Sequence, residues 1–558
     1  MWKRNKFLYF IKIVQTLTEI VGICYNKFGF AIRYENTGLW KRMFAMRKRF
    51  GVKKNILICL MTGILAGGMG GHSYAAEVVD TQILEGSTKY AAEAAVSGIA
   101  QIPVSQNVSC TVEKNGTVTY KAVLNGGMPV SDDGMLHLFA LAPYEYELSA
   151  DTEIIASNVW EGLETMPEFT FPVNFRQENT RLYSKFAIGI KSGGVLQMIT
   201  EPTYITNPEA LAWNTLMRYP RTKKSTQGEE FNNVFLDGTY GPEIGWVFKT
   251  LQVLNTGDCE ALTHPMSRAD ARKLDTSRIK KPMYYMFNAS DEEGVRALVA
   301  NMEYYVANSK GGENWIIGNE VNTRTWNYMA WTDWDTYIRE YTQAFRVMYN
   351  AIMSTNANAR VYVCIDQIWD RNLTPSSKDY YQYMDGKDFL EKFNTLIRQS
   401  GNINWGLAQH PYTNPMGYAK FWDMSGHKKG EAYAAEVASG QVVTFQNLSV
   451  MTDFMQKPEM LDTEGNVRHI ILSEIGLSNA QGSEIQAAAM CASYAAVVDN
   501  PLIDEMMYLL VYSDPGMDTR LDSFAQKVYD EMDGENSKLY LDWAKSVIGI
   551  NDWSEIIW

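Results

Sequence analysis

The sequence predicts an α/β protein: a (β/α)8 TIM barrel preceded by an all-β, sandwich-like domain. Three observations predict it. From residue 282 onward, apolar strands alternate with amphipathic helices, the pattern of a parallel sheet covered by helices. Residues 77–206 are filled with short alternating runs broken by Asn-Gly and Gly-Gly turns, which read as antiparallel strands. A length of 558 residues exceeds what one core usually organises, so two folded domains are expected.

Residues 1–76 are expected to be an upstream extension plus a secretory signal peptide. Met46-Arg47-Lys48-Arg49, with Lys53 and Lys54, makes a basic start. Asn55 to Ala66 is a short apolar run, and Ser73-Tyr74-Ala75-Ala76 offers small residues for cleavage. A signal normally starts the chain, so Met46 reads as the initiator; the apolar run is short for a membrane span, and no stable span is expected after cleavage. An N-terminal membrane anchor is the rival reading. The expected location is secreted or cell-surface.

Residues 77–206 form the β-rich domain. "CTVEKNGTVTYKAVL" places Asn115-Gly116 between alternating runs, and "YSKFAIGIKSGGVLQMIT" does the same with Gly193-Gly194. "HLFALAPYEYEL" supplies another strand. Such a sandwich either binds carbohydrate or braces the domain that follows.

Residues 207–558 form the barrel domain. "PMYYMFNA" (282–289) reads as a strand, followed by a helix that Ser290 and Glu293 would cap as a capping box. "WIIGNEVN" then opens with a short strand. A long helix near 332–354 carries the stripe Trp334, Tyr337, Ile338, Tyr341, Phe345, Met348 and Ile352. Strands follow at 360–366, 403–412, 469–476 and 505–514, with helices near 388–398, 448–456, 483–498 and 537–548. Two further strands must come from 207–281, where "NNVFLDG" and "WVFKTLQVL" are the candidates.

Composition narrows the chemistry. Residues 1–76 hold 13 of the 51 Lys+Arg and 2 of the 64 Asp+Glu, leaving 38 basic and 62 acidic residues and a net charge of −24 beyond them. Nucleic acid is a poor partner for such a surface. Aromatic residues reach 12%, with 15 Trp and 32 Tyr, enough for either sugar stacking or core packing. The six cysteines include no CxxC, and the six histidines no HExxH, so neither a disulfide framework, a metal nor a cofactor is expected. Cys364 and Cys491 read as buried thiols. Oligomeric state is not legible.

Polar residues gather where the strands end: Asn319 and Glu320, Asp366, His410 and Tyr412, Glu474, then Tyr512 and Asp514. In a β/α barrel these ends converge on the face that carries the site. A lone strand-end carboxylate is ordinary. A second one 154 residues later, on the third strand after the first, suggests a pair.

Here "IIGNEVN" and "ILSEIG" resemble the two signature strands of the clan A retaining glycoside hydrolases, over about residues 282–558. The β-rich leader is similar to that of uncharacterised bacterial secreted barrel proteins. The resemblance implies that Glu320 is the general acid/base at the end of strand four and Glu474 the nucleophile at the end of strand seven. It implies that Asn319 binds the substrate 2-hydroxyl and that Tyr412 hydrogen-bonds the nucleophile, with His410 lining the same subsites. An arginine after strand two, frequent in the clan, has only Arg268 and Arg272 as candidates. Asp366, Trp326 and Tyr512 join the expected substrate-binding set, and Trp331, Trp369 and Trp422 are further aromatic candidates.

The expected protein is therefore a secreted glycoside hydrolase acting on a carbohydrate substrate by double displacement. Two alternatives stand beside it: a non-catalytic carbohydrate-binding protein on the same barrel, and a structural surface protein.

Overall fold

The computed structural model describes residues 108–124, 131–159, 166–177, 179–212, 224–225, 286–287, 289–308, 314–327, 333–509 and 517–558. The expected signal segment, the two candidate strands before residue 255, Arg268 and Arg272, Trp331, Tyr512 and Asp514 lie outside these residues. Residues 81–558 make one compact unit.

Its first part is two antiparallel sheets. Strands β1 (Val108–Val112), β2 (Thr117–Ala122) and β5 (Glu168–Pro172) form one. The other holds β3 (Met135–Leu141), β4 (Glu153–Val159), β6 (Lys185–Ser192) and β7 (Val195–Met198), with β8 (Thr203–Tyr204) against β6. Gly116 turns the β1–β2 hairpin at φ +86°. Ser192 faces Val195 across a two-residue turn in which Gly193 and Gly194 both have positive φ, the geometry that matches strand twist.

The second part is a curled parallel sheet. Its described strands run in the order β10 (Asn314–Ile317), β11 (Arg360–Ile365), β12 (Trp405–Gln409), β13 (Ile470–Ile475), β14 (Glu505–Tyr508) and β9 (Lys224–Ser225). Every residue of β10, β12 and β14 is buried, because helices cover what a parallel sheet cannot leave to water. These helices are α1 (Glu292–Asn308), α2 (Trp334–Thr355), α3 (Gly386–Gln399), α4 (Gly430–Ala438), α5 (Ser449–Met455), α6 (Ser483–Val498), α7 (Ser523–Glu531) and α8 (Ser537–Ile548). Among the described residues, no helix is long and apolar enough to cross a membrane.

Two expectations need correction. The last strand stops at Tyr508, well short of residue 514. The cap of α1 comes from Asp291, whose Oδ1 accepts from the Gly294 N–H at 2.7 Å; the Ser290 hydroxyl donates to Glu340 instead. The strand beside β14 is Lys224–Ser225, a segment with no apolar run to announce it.

Helix α2 shows how the two parts join. Its predicted stripe is buried, and Tyr341 and Phe345 meet Phe389 and Phe393 of α3. Its polar side is buried too. Arg346 donates to the carbonyls of Gly401 and Ile205 at 2.6 and 3.1 Å, and Asn350 to that of Leu182 at 2.9 Å. Through Leu182 and Ile205 the β-rich part thus accepts bonds that a solvent-facing helix would give to water, and one continuous core runs from Cys110 to Ile556.

Candidate active site

The site forms at the C-terminal ends of β10 to β13. After Ile317 the chain turns sharply: Gly318 takes φ +81° and Glu320 φ +43°. The left-handed conformation costs a non-glycine residue about 1 kcal/mol, so surrounding contacts must hold it. They do. Asn327 donates its amide to the carbonyls of Asn319 and Glu320, and the Glu320 N–H points at Cys364 Sγ, 3.3 Å away. A Cβ on Gly318 would come within 2.7 Å of Val321 Cγ1, so the corner requires glycine.

The other carboxylate sits on β13. Pairing between β13 and β14 shifts register between Leu472 and Ile475. Adjacent strand residues normally face opposite ways, but this irregularity lets Ser473 and Glu474 both reach His410. Bulges often re-aim side chains next to sites.

His410 follows directly after β12 and is fully buried. Its Nδ1 lies 3.0 Å from Glu320 Oε1 and 3.7 Å from Glu474 Oε2. Its Nε2 lies 3.0 Å from Ser473 Oγ and 3.2 Å from Cys364 Sγ. The Tyr412 hydroxyl donates to Glu474 Oε1, and the Trp326 indole N–H donates to Glu320 Oε2 at 2.7 Å. One oxygen each of Glu320 and Glu474, together with a His410 nitrogen, lies within 4.8 Å of the other two. The glutamate side chains keep 16% and 14% exposure, so both reach an opening.

Burial sets the electrostatics. It pushes Glu320 up to about 7 from an ordinary 4.5, opposed by the Trp326 bond. It also raises Glu474, where His410 and the Tyr412 bond pull down and Glu320 pushes up. Burial lowers His410, opposed by Glu474, which favours a neutral ring. Tyr412 is held far above the ordinary phenol range by burial and by Glu474, so it stays a donor.

Asp366 follows β11 and is 6% exposed. Its Oδ1 accepts from Asn322 Nδ2 at 2.7 Å and from the Ile368 N–H at 2.8 Å. Burial first, and Glu320 second, push it up to about 8. Asn319 is buried, and its Oδ1 has no hydrogen-bond partner, an acceptor left over for a ligand donor. Trp326 is partly exposed beside Glu320. Trp369 is buried edge-on against Phe454, and Trp422 packs on Phe421 at the core margin; the contacts of both are those of packing. Cys364 and Cys491 are buried thiols outside any disulfide.

Ser473, Cys364, Asn322 and Asn327 are the residues that sequence reasoning missed. Only the bulge brings Ser473 inward, and a thiol on an apolar strand gives no sign of facing a histidine. Glu320, His410 and Glu474 are also the donor types that hold divalent cations. Here Glu320 has a hydrogen-bond donor on each oxygen, and His410 Nδ1 is turned to the carboxylates.

A family described as "Family of unknown function (DUF5722)" matches residues 261–556, more than half of the chain. No curated protein matches the chain. Among solved structures, it is similar to a Paenibacillus polymyxa xyloglucanase from GH family 44, with TM-score 0.27 and 13% identity over 45% of this chain and 52% of that one. It is similar to a GH5 xyloglucan-specific endo-β-1,4-glucanase from a metagenomic library, with TM-score 0.26 and 12% identity over 43% and 64%. It is also similar to a family 39 glycoside hydrolase from Bacteroides cellulosilyticus WH2, with TM-score 0.29 and 11% identity over 74% and 78%. The chain spans about half to two thirds of the length of the first two.

Proposed function

We propose that this chain, which belongs to the DUF5722 family, is a retaining glycoside hydrolase that cleaves a poly- or oligosaccharide by double displacement. The observation that carries the reading is the pair of glutamates, one after β10 and the other near the end of β13, with one oxygen of each within 4.8 Å of the other. Retaining enzymes hold their two carboxyl groups about 5 to 5.5 Å apart, whereas inverting ones leave about 6.5 to 9.5 Å for a water.

Each residue then has a task. Glu320, protonated near neutral pH, gives its proton to the leaving oxygen. Glu474, held as a carboxylate by the Tyr412 hydroxyl and by His410, attacks the anomeric carbon and forms a glycosyl-enzyme. Glu320, now ionised, takes a proton from water, which releases the sugar and restores both groups. Asn319, with its free acceptor, and Asp366 are assigned to substrate hydroxyls.

The wider proposal is membership of clan A, a closed eight-stranded barrel and secretion with loss of residues 1–76. Closure is supported by β9 lying beside β14, since first and last strands are neighbours in a closed barrel.

The test is a panel of aryl glycosides and polysaccharides on the mature protein, followed by two variants. Glu474→Ala should abolish turnover of an aryl glycoside with a good leaving group. Glu320→Ala should spare the first step and slow the second by roughly 10² or more, and azide should rescue it as a glycosyl azide of retained configuration. If both variants bind sugar and turn over like the parent, Glu320 is a solvated loop carboxylate. Binding without turnover by the parent would instead leave the carbohydrate-binding alternative.

A further inference from the structure

We infer that Trp326 is a positioning residue for Glu320, its indole N–H clamping Oε2 so that the carboxyl is held from two sides. The inference rests on the reading of Glu320 as the acid/base. Glu320 has one donor per oxygen: His410 Nδ1 at Oε1, 3.0 Å away, and Trp326 Nε1 at Oε2, 2.7 Å away. The two come from different directions, one from the end of β12 and the other from the loop of Glu320 itself.

That loop is built to fix the indole. The Thr323 N–H donates to the Glu320 carbonyl at 2.8 Å and the Arg324 N–H to the Gln382 carbonyl at 3.0 Å. Thr323 also bridges to Tyr383, and Asn327 ties the loop back to Asn319 and Glu320. Trp326 therefore reaches Glu320 from a framed turn. Its ring remains partly exposed, so a sugar can still meet its face while its N–H is engaged.

The choice of donor has a chemical consequence. An indole N–H only donates. It gains most when Glu320 is ionised, because charge-assisted bonds are the stronger ones. Burial favours the protonated form and Trp326 opposes it, so one carboxyl can both release and accept a proton near neutral pH. The other titratable groups facing Glu320 are Asp366 and Cys364 from β11, His410 and Tyr412 after β12, Glu474 on β13, and Tyr383 before α3. None of them removes the need for a donor on Oε2.

The test uses Trp326→Phe, which keeps a ring and loses the N–H, and needs no substrate for its first arm. In protein labelled at the tryptophan indole nitrogen, the Trp326 resonance is the one absent from Trp326→Phe. Between pH 5 and 9 it should move downfield as Glu320 ionises, and it should stop moving in Glu320→Gln. A resonance that stays still in the parent, or moves equally in Glu320→Gln, overturns the clamp. In the second arm, the limb of the pH–rate profile that belongs to Glu320 should move up by about one pH unit in Trp326→Phe. A rise in KM with that limb unmoved overturns the inference in favour of sugar stacking alone. The arms separate two failures. An indole that titrates with Glu320 in a protein that cleaves no glycoside sinks the hydrolase reading and keeps the clamp. A hydrolase whose indole is silent does the reverse.

Discussion

Replacing Glu320 by glutamine should stabilise the protein above pH 7 while removing its proposed activity. Burial lifts this carboxyl from 4.5 to about 7. An acid whose folded pKa is raised contributes stability that is complete below 4.5 and lost as pH rises through 7. With 1.36 kcal/mol per pKa unit, burying Glu320 costs the native state roughly 3 kcal/mol at pH 8, where it must ionise, and about 1 kcal/mol at pH 5, where only the unfolded chain ionises it. Glutamine keeps the shape and cannot ionise. Its oxygen can accept from Trp326, but its amide then faces His410 Nδ1, so one bond worth about 1 kcal/mol is at risk. The net expectation is near zero at pH 5 and a gain of about 2 kcal/mol at pH 8, or a few degrees in Tm. Thermal melts of parent and Glu320→Gln at pH 5, 6.5 and 8 would show the gap widening with pH. A gap that is flat or narrows would mean that Glu320 is not a buried acid at all.

Two further outcomes test the surroundings. Tyr412→Phe removes the O–H that favours ionised Glu474, so the acid limb of kcat/KM should move to higher pH and the rate should fall by about 10-fold or more. Gly406→Ala places a Cβ 2.5 Å from the Tyr362 ring and 2.9 Å from the His469 carbonyl, so a loss of about 1–3 kcal/mol is expected in urea melts, with no displacement of the pH profile.

What the sequence disclosed follows from where periodicity is strong. Five buried parallel strands from β10 onward and the α2 stripe were legible because apolar runs and 3.6-residue spacing survive in any context. The two glutamates were legible because each ends such a run. Ser473 was not, because a one-residue irregularity reverses the direction its side chain would otherwise take. Arg346 and Asn350 lie off the apolar stripe, and only the distant carbonyls of residues 182, 205 and 401 make them interior donors. Strand β9 has two residues, Lys224 and Ser225, and its pairing is decided by its neighbour β14. The capping of α1 went to Asp291 rather than Ser290 because two adjacent residues had suitable side chains and the Ser290 hydroxyl reaches Glu340 instead.

The pair of glutamates also explains itself as a proton-sharing unit. Two like charges within 4.8 Å of each other repel by about 3 kcal/mol or more at an effective dielectric constant of 20, so the pocket favours one proton between them. Glu474 receives a phenol O–H, while Glu320 receives the weaker indole N–H and faces His410 Nδ1, and burial is the largest influence lifting its pKa; the proposed reaction assigns the negative charge to Glu474 and the proton to Glu320. Under the proposed reaction, the covalent bond to sugar removes the charge on Glu474. The repulsion that helped keep Glu320 protonated then disappears, and the clamp of Trp326 and His410 favours its ionised form. The same geometry therefore makes Glu320 an acid before the first step and a base before the second, without any movement of the chain.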